Sequence, residues 1–325
     1  MIPQPRSSML ELPEYVPGES NLKGIVDPIK LSSNESALGP SPEALKAYAD
    51  ASAQLHRYPD PDQNELRDAL SAFHNLEVTK LFCGNGSAEL IQMLIHAYVG
   101  SGDEVLLSEY GFPLYKIFAL SQGATVVTAP EDDCLTNVEE LLNRLTPKTR
   151  LVALANPNNP TGTITASADL DTWISSAPDN LFFIVDEAYY PLVNDPRYWS
   201  AEKWASKRDN IVVCRTFSKL YGIAGLRIGY GLCSPQTARR LQPYLNRSSP
   251  NTLAVVAASA ALQDKDWHNA SVKIWSECKK VVTDCLDDLG LHYFESHTAF
   301  LFHAIHGDQD LYIRRMRDQD ILVGR

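Results

Sequence analysis

The sequence predicts an α/β protein in which a large domain, with a mostly parallel sheet between helices, is followed by a smaller α+β domain. The prediction rests on a series of short apolar runs that show no alternation, on the helical patterns between them, and on a change of character after Pro243. Apolar runs without alternation suit strands covered on both faces. Strand–helix alternation suits crossover connections in a parallel sheet.

Taken in order, residues 1–40 are rich in Pro, Gly and Ser and read as an extended arm that packs with the smaller domain. PEALKAYADASAQLH (42–56) and QNELRDALSAFH (63–74) space their apolar residues as helices do, and Pro42 suits a first helical turn. After GNG (84–86), SAELIQMLIHAYV places Leu90, Ile91, Leu94, Ile95 and Tyr98 on one broad face, so a helix opens directly from a Gly-rich turn. The apolar runs follow: EVLLS (104–108), TVVT (125–128), RLVALA (150–155), LFFIVD (181–186), IVVCRT (211–216) and RIGYG (227–231). Residues 41–243 form the large domain in this reading. Residues 244–325 form the small one, with helices at 252–263, 266–289 and 308–319 and strands in TAFLFHA (298–304) and ILV (321–323).

Composition narrows the function. The chain has 325 residues, 44% hydrophobic and 21% charged, as soluble globular proteins do. A net charge of −11 argues against nucleic-acid or anionic-membrane partners, which need excess Lys and Arg. Six scattered cysteines show neither CxxC pairing nor zinc-ligand spacing and read as small buried hydrophobes. Neither a signal-like segment nor a run of about 20 apolar residues occurs, which leads us to expect a cytosolic protein.

Four motifs at predicted strand ends carry chemistry. TFSKLYGIAGLRIGYG (216–231) sets Lys219 between hydroxyl residues and a Gly-rich segment, with Arg227 eight residues on. A desolvated lysine loses basicity and becomes a nucleophile toward aldehydes. Thr216, Ser218 and Arg227 have the donors a phosphate requires. LVALANPNNPTGT (151–163) brings Asn156 and Asn159 to the edge where open α/β sheets place ligands. FFIVDEAYY (182–190) ends a buried strand on Asp186, with Tyr189 three residues later, and a buried carboxylate needs a partner. GNGS (84–87) offers backbone N–H groups at a helix start to an anion. Each motif alone has a plainer reading: an exposed strand-end lysine, a capping aspartate, an ordinary turn.

Together, in this order and spacing, the four motifs resemble those of fold-type I pyridoxal-phosphate aminotransferases, and most closely histidinol-phosphate aminotransferases. LPEYVPGES, LSSNESALGPSP and LHRYPDP agree, and the likeness runs from about residue 11 onward. The resemblance implies that pyridoxal 5′-phosphate is the cofactor and that Lys219 joins its C4′ covalently, later moving the proton between Cα and C4′ in a ping-pong reaction. It implies that Asp186 pairs with the pyridinium nitrogen, that Tyr189 and Asn159 bond the ring's O3′, and that Phe112 stacks on the ring. The Ser87 and Ala88 amides, with Thr216, Ser218 and Arg227, would hold the phosphate. Tyr58 would reach the cofactor of a neighbouring subunit, making a homodimer with shared active sites. Tyr15 would close over a substrate phosphate and Arg325 would bind a substrate anion.

Three features depart from the family pattern. The sequence ends at Arg325, before a strand with a second arginine and a closing helix, which leads us to expect weak dicarboxylate binding or inactivity with cofactor binding retained. Asp320 stands where relatives have Gly. SSPNT (248–252) lacks the usual aromatic residue before Asn251. The substrates expected are an amino-alcohol phosphate or amino acid and a 2-oxo acid. Aromatic aminotransferases, threonine-phosphate decarboxylases and a cofactor-binding paralogue without turnover remain open alternatives.

Overall fold

The computed structural model describes residues 2–324. The strands are β1 (Ile29–Leu31), β2 (Leu81–Gly84), β3 (Glu104–Ser108), β4 (Thr125–Ala129), β5 (Thr149–Ala155), β6 (Phe182–Asp186), β7 (Ile211–Thr216), β8 (Gly229–Leu232) and β9 (Ile321–Val323). The helices are α1 (Ser7–Leu10), α2 (Pro42–Ala51), α3 (Asn64–His74), α4 (Ser87–Tyr98), α5 (Pro113–Ser121), α6 (Val138–Asn143), α7 (Ser167–Ser176), α8 (Glu202–Ala205), α9 (Pro235–Leu241), α10 (Thr252–Gln263), α11 (Lys265–Asp288) and α12 (Gln309–Arg317).

The main sheet has the order β2-β8-β7-β6-β5-β3-β4. Strands β7, β6, β5, β3 and β4 run parallel, and β8 is antiparallel to both its neighbours. Side chains alternate between two buried layers, as strand geometry requires. Phe183 and Val185 of β6 and Ile211 and Val213 of β7 join one core with α2, α3, α7 and α10. Phe182, Ile184, Val212 and Cys214 join the other, with α4, α5 and α9. Burial on both faces explains why these runs lack alternation. Short sequence signals set the helix starts: Ser41 caps α2 by accepting from Ala44 N–H, with Pro42 in the first turn.

A second, two-stranded sheet pairs β1 with β9 in parallel, Ile29 opposite Ile321 and Leu31 opposite Val323. The extended arm is thus bonded to the C-terminal region. The turn before β9 holds Asp320 at φ 60°, a left-handed conformation that glycine adopts without strain.

Three expectations are corrected. Helix α10, assigned from sequence to the small domain, packs on α2 and α3, and its buried residues, Ala254, Ala257, Ala258, Ala261 and Leu262 among them, sit in the large core. The change of unit therefore falls after it. Residues 298–304 do not form a strand; one isolated bridge joins Tyr293 and His303. There the Ser296 and Thr298 hydroxyls donate to the Phe300 carbonyl, occupying the acceptor a strand partner would use. Among the cysteines, Cys83, Cys214 and Cys233 are buried as expected, whereas Cys278 and Cys285 are exposed on α11. No described helix is long and apolar enough to cross a membrane.

Candidate active site

The cleft forms at the C-terminal ends of β2, β5, β6 and β7, where the sheet delivers the four motifs. This is the edge at which open α/β sheets bind ligands. Gly86, at φ 86°, turns the chain so that α4 begins at Ser87 and Ala88. The first amides of a helix lack intrahelical partners and carry the positive end of its dipole. Beside them, β7 ends on Thr216, whose hydroxyl donates to Ser218 Oγ at 3.0 Å. Arg227 Nη1 donates to the same oxygen at 3.3 Å. A Cβ on Gly86 would lie 2.7 Å from Arg227 Nη2, and one on Gly229 2.6 Å from Ser87 N. Two glycines thus let a helix start, two hydroxyls and a guanidinium converge on one small volume. Thr216 and Arg227 already donate to Ser218 Oγ, and Arg227 also to the Ala224 carbonyl, while the helix-start amides and the rest of the guanidinium fork are donors of the kind that fit an anion such as phosphate.

Lys219 lies next along the chain. Its ammonium sits 5.6 Å from the Tyr189 ring centroid and donates to the Ser33 carbonyl at 3.5 Å. Burial pulls its pKa down to about 8, against the opposing pull of Glu35 and Asp186. Asp186 ends β6 with 6% of its surface exposed. Its Oδ2 accepts from Tyr115 at 2.8 Å and its Oδ1 from Ala188 N–H at 3.1 Å. Burial pushes its pKa up to about 6, and those two donors and Lys219 oppose the rise. Asp186 thus closes a turn onto Ala188 N–H and does not cap the next helical turn, which begins at Tyr190 without a side-chain cap. Tyr189 is buried, its ring edge against Phe300 at 5.2 Å. Phe112 caps the start of α5 and is half-buried, meeting Tyr115 at 5.5 Å and Tyr15 at 6.5 Å between ring centroids.

Contacts thus link Lys219 with Tyr189, Asp186 with Tyr115, and Tyr115 through Phe112 with Tyr15, and they set Thr216, Ser218 and Arg227 beside the helix start at Ser87, which Ala88 follows. Asn156 does not join them. Its amide spans the loop instead, donating to the Thr165 carbonyl and accepting from Thr165 N–H, both at 3.0 Å. Asn159 is half-buried in the same loop. Tyr58 is 89% exposed. Arg325 lies outside the described residues.

The family model for aminotransferase class I and II matches residues 26–325. The chain belongs to that family. Among curated relatives, the histidinol-phosphate aminotransferase of Jannaschia sp. (strain CCS1) is 39% identical over 302 residues, 92% of this chain and 82% of that one. That of Paramagnetospirillum magneticum is 42% identical over 262 residues, 81% of this chain and 72% of its own. Among solved structures, the histidinol-phosphate aminotransferase of Sinorhizobium meliloti in complex with pyridoxal-5′-phosphate superposes with a TM-score of 0.86 at 28% identity, covering 91% of this chain and 82% of that one.

This aminotransferase site also contains residues that sequence reasoning missed. Tyr115 and Asn34 bond directly to Asp186 and Tyr189. Behind them, Arg215 and Glu187 form a buried pair at 2.8 Å, each within 2% of full burial. Arg215 also donates to Ser200 and stacks 4.0 Å over the Tyr190 ring. His74 lies at the far side, held neutral by burial and by Arg215, with its pKa pulled down to about 3. Charged residues inside the apolar-looking motifs DEAYY and VVCRTF were the available signal, since a charge at a buried strand end needs a partner.

Proposed function

We propose that this chain is a pyridoxal-phosphate-dependent aminotransferase that exchanges an amino group between histidinol phosphate and 2-oxoglutarate. The observation that carries the reading is the placement, at one sheet edge, of a buried lysine, a buried carboxylate and an anion cup. The residues fit the cofactor by their chemistry. The Gly86–Ser87–Ala88 turn, Thr216, Ser218 and Arg227 would hold its phosphate, Asp186 its ring nitrogen, Tyr189 and Asn159 its ring oxygen, and Phe112 one ring face. When bound, the cofactor supplies an aldehyde carbon and a protonated ring that draws electrons from the substrate's Cα.

The chain's own groups do the rest. Lys219, with its amine largely neutral above about pH 8, is a competent nucleophile and a base near neutrality. Asp186 remains ionised above about pH 6, so it offers a negative charge to a ring N–H under physiological conditions. The aromatic walls of Phe112, Tyr115 and Tyr15 exclude water from one side, which strengthens each charge interaction inside. Tyr15, near Phe112 and partly exposed, stands where a substrate's distal end would pass. Names of the relatives support histidinol phosphate as the amino donor, and the exposed Tyr58 supports a homodimer with shared sites.

The decisive test is optical. Purified protein incubated with pyridoxal phosphate should show a visible band that borohydride fixes onto Lys219. Histidinol phosphate and L-glutamate should bleach the band, and phenylalanine should do so at least tenfold more slowly. Equal bleaching by phenylalanine would favour an aromatic aminotransferase, and loss of carbon dioxide from threonine phosphate a decarboxylase. A colourless protein would reject the cofactor reading altogether.

A further inference from the structure

Tyr189 ends its strand–turn segment with its hydroxyl facing Asn34, which comes from the far end of the chain's fold. Asn34 Nδ2 donates to Tyr189 Oη at 3.1 Å. A phenol has one proton to give and two lone pairs to receive. An amide nitrogen can only donate, so one lone pair is taken, and the phenolic proton meets no acceptor among the described residues. That proton is left for the cleft. The titratable groups near Tyr189 are Asp186, Tyr15, Tyr115 and Lys219, and Phe300 packs edge-on against the ring.

The position of Asn34 is itself imposed. It adopts φ 55°, a left-handed conformation that is costly for residues other than Gly, Asn and Asp. That conformation is held from both sides. Upstream, β1 is locked by its pairing with β9 and by Ile29 N–H donating to the Asp320 carbonyl at 2.8 Å. Immediately before Asn34, the Ser33 carbonyl accepts from Lys219. What points to a positioning role is that this turn, held on both sides, delivers the Asn34 amide to the Tyr189 hydroxyl.

We infer that Asn34 is a positioning residue that fixes the Tyr189 hydroxyl as a hydrogen-bond donor into the cofactor cleft. The inference rests on the cofactor reading above. Without Asn34, the hydroxyl could rotate and spend its proton on Asp186 or on the arm. With Asn34 in place it is committed to an acceptor on the bound coenzyme, and donation to an oxygen favours that oxygen's anionic form. The pH at which the coenzyme's visible band titrates should therefore depend on Asn34, through Tyr189.

The test is a spectrophotometric titration of coenzyme-loaded wild type, Asn34→Asp, Asn34→Gly, Tyr189→Phe and the Tyr189→Phe/Asn34→Asp double variant. Asn34→Asp keeps the shape and tolerates the backbone conformation but turns the donor into an acceptor that captures the Tyr189 proton. Its band should titrate about one pH unit higher than wild type, the size expected for loss of one hydrogen bond to a charged group. Asn34→Gly keeps the left-handed backbone accessible and removes the donor, so it guards against a folding defect; its shift should be upward and smaller. In the Tyr189→Phe background the Asn34→Asp change should add nothing, because the two act on one bond. An unshifted Asn34→Asp band beside a normal wild-type band would overturn this inference alone, as would an undiminished shift in the Tyr189→Phe background. Absence of any titrating band in wild type would overturn the cofactor reading as well.

Discussion

The Tyr115 hydroxyl donates a 2.8 Å hydrogen bond to Oδ2 of Asp186, and both side chains are buried. The same helix start presents Phe112, so one short segment supports both the ring face and the acid of the proposed cofactor site. Tyr115 is the strongest influence holding the Asp186 pKa down against burial. Tyr115→Phe should let that carboxylate keep its proton to a higher pH than about 6. The ionised form is the one that pairs with a ring N–H, so function is lost as pH falls through this pKa. The acid limb of coenzyme affinity should move upward in the variant, with about a tenfold loss at pH 6.5, roughly one hydrogen bond to a charged group. Comparison with wild type in a pH series of equilibrium titrations cancels the coenzyme's own ionisation. An unmoved limb would mean that Tyr115 only fills space.

Burial makes Lys219 a weaker base, with a pKa of about 8 in place of 10.5. Its neutral amine becomes the major form above about pH 8, whereas an exposed lysine needs more than two further units. The rate of coenzyme capture by the coenzyme-free protein should rise about tenfold per pH unit below 8 and level off above it. Stopped-flow absorbance reads this directly; a rate still climbing steeply at pH 9.5 would contradict the depressed basicity. Lys219→Ala should abolish borohydride labelling and reduce amino transfer by about 10²–10⁴-fold.

The buried Arg215–Glu187 pair makes a different kind of demand. Glu187→Ala leaves the guanidinium in the core with the partly exposed Glu202, at 3.2 Å, as its remaining acidic partner among the described residues. The loss should be about 3–5 kcal/mol in urea or guanidinium unfolding. Lys203→Ala, which removes an exposed pair with Asp171, should cost less than about 1 kcal/mol. Similar losses from the two substitutions would show that the buried network is not what stabilises the strand ends.

Tyr58, exposed in the single chain, tests the shared-site proposal. Sedimentation should give a dimer, and Tyr58→Phe should weaken coenzyme binding about tenfold while leaving the dimer intact, the effect of one lost hydrogen bond to a phosphate. A monomer that binds coenzyme as tightly as expected for the family would remove the partner subunit from the site.

Much of the central sheet was legible because the physics was local. EVLLS, LFFIVD and IVVCRT are buried on both faces, so their composition alone marks them as strands. Strands β1 and β2, of three and four residues, were too short to stand out from an arm and a turn. TAFLFHA has strand composition, but the Ser296 and Thr298 hydroxyls, four and two residues before Phe300, take its carbonyl. At the site, Lys219, Asp186 and the Gly86–Ser87 turn were readable because each motif carries its own chemistry. Tyr115 and Asn34 were not, because their roles exist only once segments 71 and 155 residues apart have met. Arg215 and Glu187 gave a signal that went unread: two opposite charges in adjacent apolar strands.

The parallel pairing of β1 with β9 joins residues 29–31 to residues 321–323. The strand leading into the segment that touches Lys219 and Tyr189 is therefore paired with chain made almost three hundred residues later. During synthesis the main sheet can close before that anchor exists, since its strands end by residue 232. The cleft should thus pass through a stage with its sheet formed and its Ser33–Asn34 wall still loose. Contacts of such long sequence separation form slowly, which makes maturation of the pocket, rather than collapse of the core, the late event on the ribosome.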